Sequence, residues 1–136
     1  MEPVQPSIHH IWIDHIQIAA PPGCEEAARR FYGQTLGLPE IEKPEPLRRR
    51  GGCWFRCGSR QLHIGVEPDF RPAKKAHPAF ALLHLEPLRA ALLANGFEVT
   101  DDSGLPGARR FYTSDPWGNR LEFIEQQPEQ AENGNA

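Results

Sequence analysis

The sequence has few cysteines and little net charge, and it lacks any long apolar run. Cys24, Cys53 and Cys57 form an odd, sparse set, which argues against a disulfide scaffold and favours a reducing cytoplasm. No run of about eighteen apolar residues occurs, and the start shows no signal-peptide pattern, so we expect neither a membrane span nor secretion. The formal net charge of -3 gives no reason to expect nucleic acid or an anionic membrane as a partner.

What is present is typical of one globular domain. The chain has 136 residues, of which 39% are hydrophobic and 24% charged. At this length a domain buries roughly two-thirds of the surface that its unfolded chain exposes. Both ends are polar and contain proline or glycine, so we expect a flexible segment over residues 1–10 and a disordered tail over residues 126–136. Residues 11–125 are predicted to form the folded domain.

Strand and helix patterns alternate along this domain in the order β-α-β-β-β, and the order occurs twice. Strands are predicted from β-branched alternation, and helices from apolar residues at helical spacing with proline at the start and glycine at the end. A proline-rich connector separates the first helix from a hairpin that turns at Gly58-Ser59. We therefore divide the domain into module one (11–67), a linker (68–76) and module two (77–125).

The two modules align as an internal repeat that pairs metal-capable residues. The stretch "DHIQIAA" matches "AHPAFAL" and pairs His15 with His77, whereas "RQLHIGV" matches "NRLEFIE" and pairs His63 with Glu122. The separations within the two modules are nearly equal. Each repeat therefore places one such side chain on its first strand and one on its last.

Strand alternation predicts which face carries these side chains. The leucine and phenylalanine faces of the last strands are the natural partners of the amphipathic helices. This directs His63 and Glu122 to the opposite, concave side of each sheet. On the strand that follows His77, the small residues Ala79 and Ala81 would leave room for a ligand on its face.

Three imidazoles and one carboxylate in matched positions suggest a divalent transition-metal site. Imidazole suits zinc, nickel, cobalt, copper and iron, and the carboxylate extends the choice to manganese and iron(II). Each residue also has a duller interpretation, because a lone strand histidine is often structural and Glu122 could lie on an exposed face. His9, His10 and His84 have no symmetric partner and are interpreted as structural or exposed. Cys53 and Cys57 could form half of a zinc site, but their position in a predicted strand favours burial.

The stretches "DHIQIAA", "FYGQTLGL", "HPAFAL" and "FYTSDPWGNRLEFIE" together resemble the vicinal-oxygen-chelate superfamily, which contains glyoxalase I, bleomycin-resistance proteins, fosfomycin-resistance thiol transferases and extradiol dioxygenases. The resemblance implies an α+β fold in which two βαβββ modules form curved mixed sheets around an open cup. It implies one divalent metal per site, held by His15, His77 and Glu122. His63 occupies the position of a fourth ligand, where glutamate is usual in glyoxalase I. It is therefore either a ligand or an acid/base group.

The chemistry that the resemblance implies is bidentate chelation of a metal by neighbouring oxygens of a small oxygenated metabolite, as in glyoxalases and dioxygenases. His63 or Glu67 would supply the acid/base group, and Arg56 and Arg110 could hold an acidic group of the substrate. Alternation aims six residues into the substrate pocket: Gln17, Trp54, Arg56, Glu67, Arg110 and Tyr112. The alternative is a metal-free protein that sequesters a ligand, as bleomycin-resistance proteins do, between aromatic walls of Trp54, Tyr112 and Trp117.

The linker "PDFRPAKKA" bears on assembly. It has two prolines, two lysines and no glycine, which predicts a stiff, solvated connector that sends module two away from module one. The resemblance points to cups that are built across a symmetric dimer. We therefore expect a homodimer, with His15 and His63 from one chain and His77 and Glu122 from the other.

Overall fold

The computed structural model describes residues 9–127, which form two four-stranded mixed sheets. Sheet one has the strand order β1-β4-β3-β2, and sheet two has the corresponding order β5-β8-β7-β6. The strands of sheet one are β1 (His15–Ala20), β2 (Glu40–Ile41), β3 (Cys53–Cys57) and β4 (Arg60–Val66). Those of sheet two are β5 (Ala79–Leu82), β6 (Thr100–Asp102), β7 (Arg110–Ser114) and β8 (Arg120–Glu125).

The pairing is the same in both sheets and confirms the predicted α+β class with two βαβββ units. The first strand of each unit runs parallel to the last, β1 beside β4 and β5 beside β8. The last two strands of each unit form an antiparallel hairpin. A parallel pair needs a long crossover connection, and the helix of each unit lies within that crossover.

Each unit covers one face of its sheet with a helix. In unit one, α1 (Glu25–Ala28) continues directly into a π-helical segment (Arg29–Thr35), in which Phe31 and Tyr32 are buried. In unit two, α2 (Leu85–Ala94) buries Leu85 and Leu92. None of the described helices is long and apolar enough to cross a membrane.

The helix-covered faces of the two sheets share a single hydrophobic core. The rings of Phe31 and Phe97 meet edge to face with centroids 4.8 Å apart across the two units. The buried Tyr32 hydroxyl donates to Asp115 Oδ2 at 2.8 Å, and Asn119 Nδ2 donates to the carbonyl of Ala19 at 2.9 Å. The opposite faces of both sheets therefore point away from this common core.

The linker does not separate the units, contrary to the expectation drawn from its prolines and lysines. Its residue Ala73 donates its N–H to Asn119 Oδ1 and accepts a hydrogen bond from the N–H of Arg120, both at 2.9 Å. A stiff segment thus runs back along the start of β8, because its own backbone groups find partners there.

Two local predictions need correction. The proline-rich connector contains a short strand, β2, and a 3-10 helix (Glu45–Arg50). Proline is tolerated in the first turn of a helix and in an edge strand, so it does not prevent either element. The first strand begins at His15 rather than at residue 11, since its pairing with β4 begins there. The terminal segments that we predicted to be flexible lie almost wholly outside the described residues.

The cysteines are buried or half-buried and fit a structural role. Cys24 and Cys53 are buried, and Cys57 is half-buried. Burial raises the pKa of the Cys24 thiol to about 12 and also raises those of Cys53 and Cys57. A protonated thiol is a poor metal ligand and a poor nucleophile. This agrees with the interpretation of Cys53 and Cys57 as core residues.

Candidate metal and substrate site

The polar face of sheet one carries a stack of three rings. Register places both Trp54 and Gln17 opposite His63 on neighbouring strands. The ring of His63 lies 3.8 Å from that of Trp54 with an interplanar angle of 1°, and 4.3 Å from that of His15 with an angle of 21°. His63 is therefore sandwiched between the other two rings and is only 5% exposed.

The hydrogen bonds of this stack distinguish its two histidines. His63 Nε2 lies 2.9 Å from Gln61 Oε1, so that nitrogen donates to the amide oxygen and Nδ1 carries the lone pair. Burial lowers the pKa of His63, and the nearby His15 and Lys43 lower it further, whereas the Asp14 carboxylate acts to raise it. His15 Nδ1 instead lies 2.9 Å from Asp14 Oδ2, which orients the ring and leaves Nε2 for a ligand.

This stacking limits how the pair can hold a metal. An ion bound by imidazole lies in the plane of the ring, about 2.0–2.1 Å from the nitrogen. Two nearly parallel, stacked planes do not meet within that distance of either ring. As they are arranged, His15 and His63 therefore cannot both bind the same ion.

The polar face of sheet two brings His77 and Glu122 together. His77 Nε2 lies 3.0 Å from Glu122 Oε1, and its Nδ1 lies 2.8 Å from the carbonyl oxygen of Lys75. Both neighbours accept hydrogen bonds, but a neutral imidazole has only one N–H to donate. The imidazole and the carboxylate are thus in direct contact, and both are side-chain types that bind divalent metals. A histidine fixed through Nδ1 to a carbonyl and paired with a carboxylate fits a divalent metal.

Glu122 is held as a carboxylate by its surroundings. Its burial acts to raise its pKa, but hydrogen bonds from His77, Arg110 and Tyr112, with the charge of Arg110, lower the pKa overall. Arg110 donates to Glu122 Oε2 at 3.3 Å and to Asp102 Oδ2 at 3.0 Å, and its buried Nε has no hydrogen-bond partner among the residues that the structure describes. Such a group can serve as an anionic metal ligand over the whole physiological pH range.

The two pairs do not form one site within a single chain. Over residues 9–127, no three histidine, cysteine, aspartate or glutamate side chains are grouped so that they could hold a metal ion. His15 and His63 lie on the polar face of sheet one, and His77 and Glu122 lie on that of sheet two. Both faces point away from the common core.

The predicted pocket residues divide by sheet. Gln17, Trp54 and Arg56 share the polar face of His63, whereas Arg110 and Tyr112 share that of Glu122. Arg110 was expected to hold an acidic group of the substrate, but it is already paired with two carboxylates. Glu67, a predicted acid/base group, lies beyond the end of β4, where its N–H donates to the carbonyl of Ala20.

Other residues stand apart from the polar faces. Trp117 is partly buried and packs against the core beside Tyr32, away from the polar faces that carry the candidate site residues. His9, His10 and His84 are exposed. Sequence reasoning missed Lys43, which precedes the 3-10 helix, and Arg50, which ends it; both line a cavity beside Trp54. The run of three arginines before Gly51-Gly52 was the available signal for Arg50.

A family profile decides the identity of this fold. Residues 12–123 match the profile of the Glyoxalase/Bleomycin resistance protein/Dioxygenase superfamily. The chain belongs to this superfamily. The match spans both βαβββ units and all four of the metal-capable residues, and it confirms the resemblance inferred from the sequence. Among curated proteins, no match was found.

Solved structures of superfamily proteins share the fold. A glyoxalase family protein from Bacillus anthracis is 53% identical, covers 93% of this chain and 99% of its own, and superposes with a TM-score of 0.82. Lactoylglutathione lyase from Agrobacterium tumefaciens is 19% identical over 84% of this chain and 92% of its own, with a TM-score of 0.67.

A third superfamily structure was solved with a metal. It is a mutant of the genomically encoded fosfomycin resistance protein from Listeria monocytogenes, in complex with manganese(II) and 1S,2S-dihydroxypropylphosphonic acid. It is 17% identical over 88% of this chain and 95% of its own, with a TM-score of 0.71. At such identities the likeness to this protein and to the lyase is one of fold alone.

Proposed function

We propose that this superfamily member is a divalent-metal-dependent enzyme that acts on a small oxygenated metabolite, in the manner of glyoxalases and dioxygenases. The observation that carries the proposal is the contact between His77 Nε2 and Glu122 Oε1 at 3.0 Å, with Nδ1 engaged by a carbonyl. Both atoms belong to side chains that are common ligands of divalent metals. The manganese complex of the Listeria protein supports a metal on this fold.

His77, Glu122 and His15 are the residues that would hold the metal. Zinc, nickel, manganese, iron(II) and cobalt all suit this set of one carboxylate and two imidazoles. When bound, such an ion supplies Lewis-acid chemistry to neighbouring oxygens of the substrate. His63 stays outside the set because its Nε2 is engaged by Gln61 and its ring is stacked on His15.

His63 then serves as the proton acceptor of the site. Its lowered pKa keeps the ring neutral near pH 7, and the Gln61 contact leaves the lone pair on Nδ1. Trp54 on one side and His15 on the other fix the plane of the ring. A neutral, oriented imidazole is a suitable general base for a substrate that loses a proton during turnover.

We further propose that the site is completed in a homodimer, in which sheet one of each chain faces sheet two of its partner. The separate polar faces support this, since neither alone offers three ligands. Ile11, Trp12 and Ile13 precede the edge strand β1 and are each more than 60% exposed. A second copy of the chain would cover this apolar segment and bring His15 toward the partner's His77 and the partner's Glu122.

Metal analysis of protein purified without a histidine tag tests the metal proposal. We expect about one divalent ion per chain, because a symmetric dimer has two equivalent sites. A panel of 2-oxoaldehyde hemithioacetals and catechols, screened with each metal in turn, then tests for turnover. Absence of any bound ion, with no binding after nickel, manganese, zinc or iron(II) is added, would contradict the proposal.

A metal-free sequestering protein is the second candidate, and the position of two aromatic rings favours it. Trp54 lies on the polar face of sheet one and Tyr112 on that of sheet two, where they could stack on a planar ligand. Ligand binding reported by tryptophan fluorescence would then be unaffected by EDTA. For the metal enzyme, EDTA should abolish both metal content and turnover.

A further inference from the structure

A small cavity opens between the 3-10 helix and the polar face of sheet one. Its volume is about 150 Å³, well below that of pockets for drug-sized ligands, which run from about 300 Å³ upward. Trp54 forms one wall, so the cavity adjoins the ring stack that contains His63. The polar side chains that line it are Gln17, Lys43 and Arg50.

The cavity has a strong positive bias. Two cations line it and no carboxylate does. Lys43 donates to the neutral carbonyl of Gly51, and neither Lys43 nor Arg50 forms an ion pair within residues 9–127. The nearby Glu25 carboxylate stays outside the lining, where it accepts a hydrogen bond from the N–H of Gly52. By contrast, Arg29, Arg89 and Arg109 pair with carboxylates elsewhere on the described surface.

Two glycines allow close approach of the chain at the cavity: Gly65 lines it, and Gly52 follows the lining residue Gly51. Gly65 on β4 lies opposite Ala19 on β1. A Cβ atom added at Gly65 would lie 2.7 Å from the amide carbon and nitrogen of Gln17. The absence of that Cβ lets the amide lie flat against the strand. Gly52 has a φ of +84°, and a Cβ there would collide with the carbonyl oxygen of Ile64 at 1.9 Å. The chain after Arg50 therefore approaches β4 as closely as a backbone can.

We propose that this cavity binds the anionic group of the substrate through its carboxylate or phosphate oxygens. Arg50 and Lys43 would donate charge-assisted hydrogen bonds, and the Gln17 amide would donate a neutral one. The cavity holds one such group with a few attached atoms, and the remainder of the molecule reaches toward His63. As a statement about the substrate this rests on the proposed enzymatic function, but the binding of an anion does not require the metal.

Binding of inorganic phosphate and of malonate to EDTA-treated protein tests the proposal. The signal is the indole N–H resonance of Trp54, identified with the Trp54→Phe variant and followed at pH 8. We expect phosphate, malonate or both to shift this resonance in a saturable manner. Saturation by phosphate alone assigns a phosphate group, and saturation by malonate alone assigns a carboxylate.

Arg50→Gln is the decisive variant, and Arg49→Gln is its matched control. Arg49 adjoins Arg50 on the 3-10 helix but does not line the cavity. Arg50→Gln should weaken anion binding by about tenfold or more, whereas Arg49→Gln should change it less than about twofold. Because Lys43 also holds the Gly51 carbonyl, Lys43→Arg, which keeps the charge, is compared with Lys43→Gln.

The outcomes separate this inference from the proposed function. Equal weakening by Arg49→Gln and Arg50→Gln would show general charge attraction and overturn the cavity assignment. No shift of the Trp54 resonance by either anion would also overturn it, whatever the metal content of the protein. Saturable anion binding by protein that takes up no divalent metal would support the cavity while contradicting the metal enzyme.

Discussion

The two polar pairs occupy matching places in the repeat but differ in their electrostatics. His15 and His63 of sheet one form a stack with Trp54, and burial keeps His63 neutral. His77 and Glu122 of sheet two lie in a charged network with Arg110, which also pairs with Asp102. Equivalent positions in the two units thus lie in a neutral, aromatic environment in sheet one and in an ionic environment in sheet two.

The difference suits the proposed shared site, to which the two units would contribute different chemistry. An imidazole–carboxylate pair is suited to hold a metal, whereas a neutral, stacked imidazole is suited to accept a proton. A strict repeat of either environment would supply only one of these functions. The divergence of the repeat therefore fits the metal enzyme proposed above.

The largest expected effect is the loss of metal when the ionic pair is broken. His77→Ala or Glu122→Ala should weaken divalent-metal binding by about a hundredfold or more, because each removes a direct ligand. Isothermal titration of EDTA-treated, tag-free protein measures this. The matched control is His84→Ala, an exposed histidine on the same unit, which should leave metal affinity unchanged. Loss of metal in the control would show that the ligand assignment is wrong.

Complementation between chains tests whether the two pairs meet. A His15→Ala protein and a Glu122→Ala protein should each be inactive, yet a heterodimer refolded from both should contain one intact site and one doubly broken site. We expect about half of the normal metal content per heterodimer, measured after separation by differently charged tags. Isolated heterodimers that bind no metal would indicate that each site closes within its own chain.

The ring stack offers a comparison of intermediate size. His15→Phe and His63→Phe both preserve stacking and remove the ring nitrogens. If only His15 is a ligand, His15→Phe should weaken metal binding by tenfold or more, and His63→Phe by less than about tenfold while turnover falls. Metal affinity and kcat are measured for each of the two variants. Equal loss of affinity in both variants would mean that the stack opens when metal binds.

The smallest expected effect is on acid stability without metal. The pKa values of His63 and Glu122 are both lowered in the folded state, so the unfolded chain binds more protons and stability falls on acidification. For His63 the loss begins below about pH 6.5, and for Glu122 below about pH 4.5. Urea unfolding in EDTA should show that His63→Gln flattens the decline between about pH 6.5 and 5, whereas Glu122→Gln does not. An unchanged decline in His63→Gln would contradict this assignment.

Much of the fold was predictable because it repeats. Alternation and helix stops located both βαβββ units, and the alignment of His15 with His77 fixed which strands correspond. The short strand β2 and the 3-10 helix were missed, since two residues of strand and a proline-rich turn leave no periodic signal. The start of β1 was placed too early because its extent depends on where β4 begins, which is a long-range property.

The site was predictable as a set of residues but not as an arrangement. Face alternation placed His63 and Glu122 on polar faces, and the structure agrees. Ring stacking, the pairing of Arg110 with two carboxylates and the contribution of Lys43 depend on side-chain geometry across strands that sequence spacing does not encode. The linker was misjudged because composition reports stiffness and says nothing of the partners that Ala73 finds on β8.

The buried contacts of Tyr32, Asp115 and Asn119 have a consequence for the response of this protein to dilution. These contacts join the two units inside one chain, so each protomer is expected to unfold in a single transition of the whole domain. A site shared between chains would instead be lost as the dimer dissociates, while every protomer remains folded. Catalysis would then be switched off by dilution alone, and the expression level of the protein would set its activity per molecule as well as its total activity.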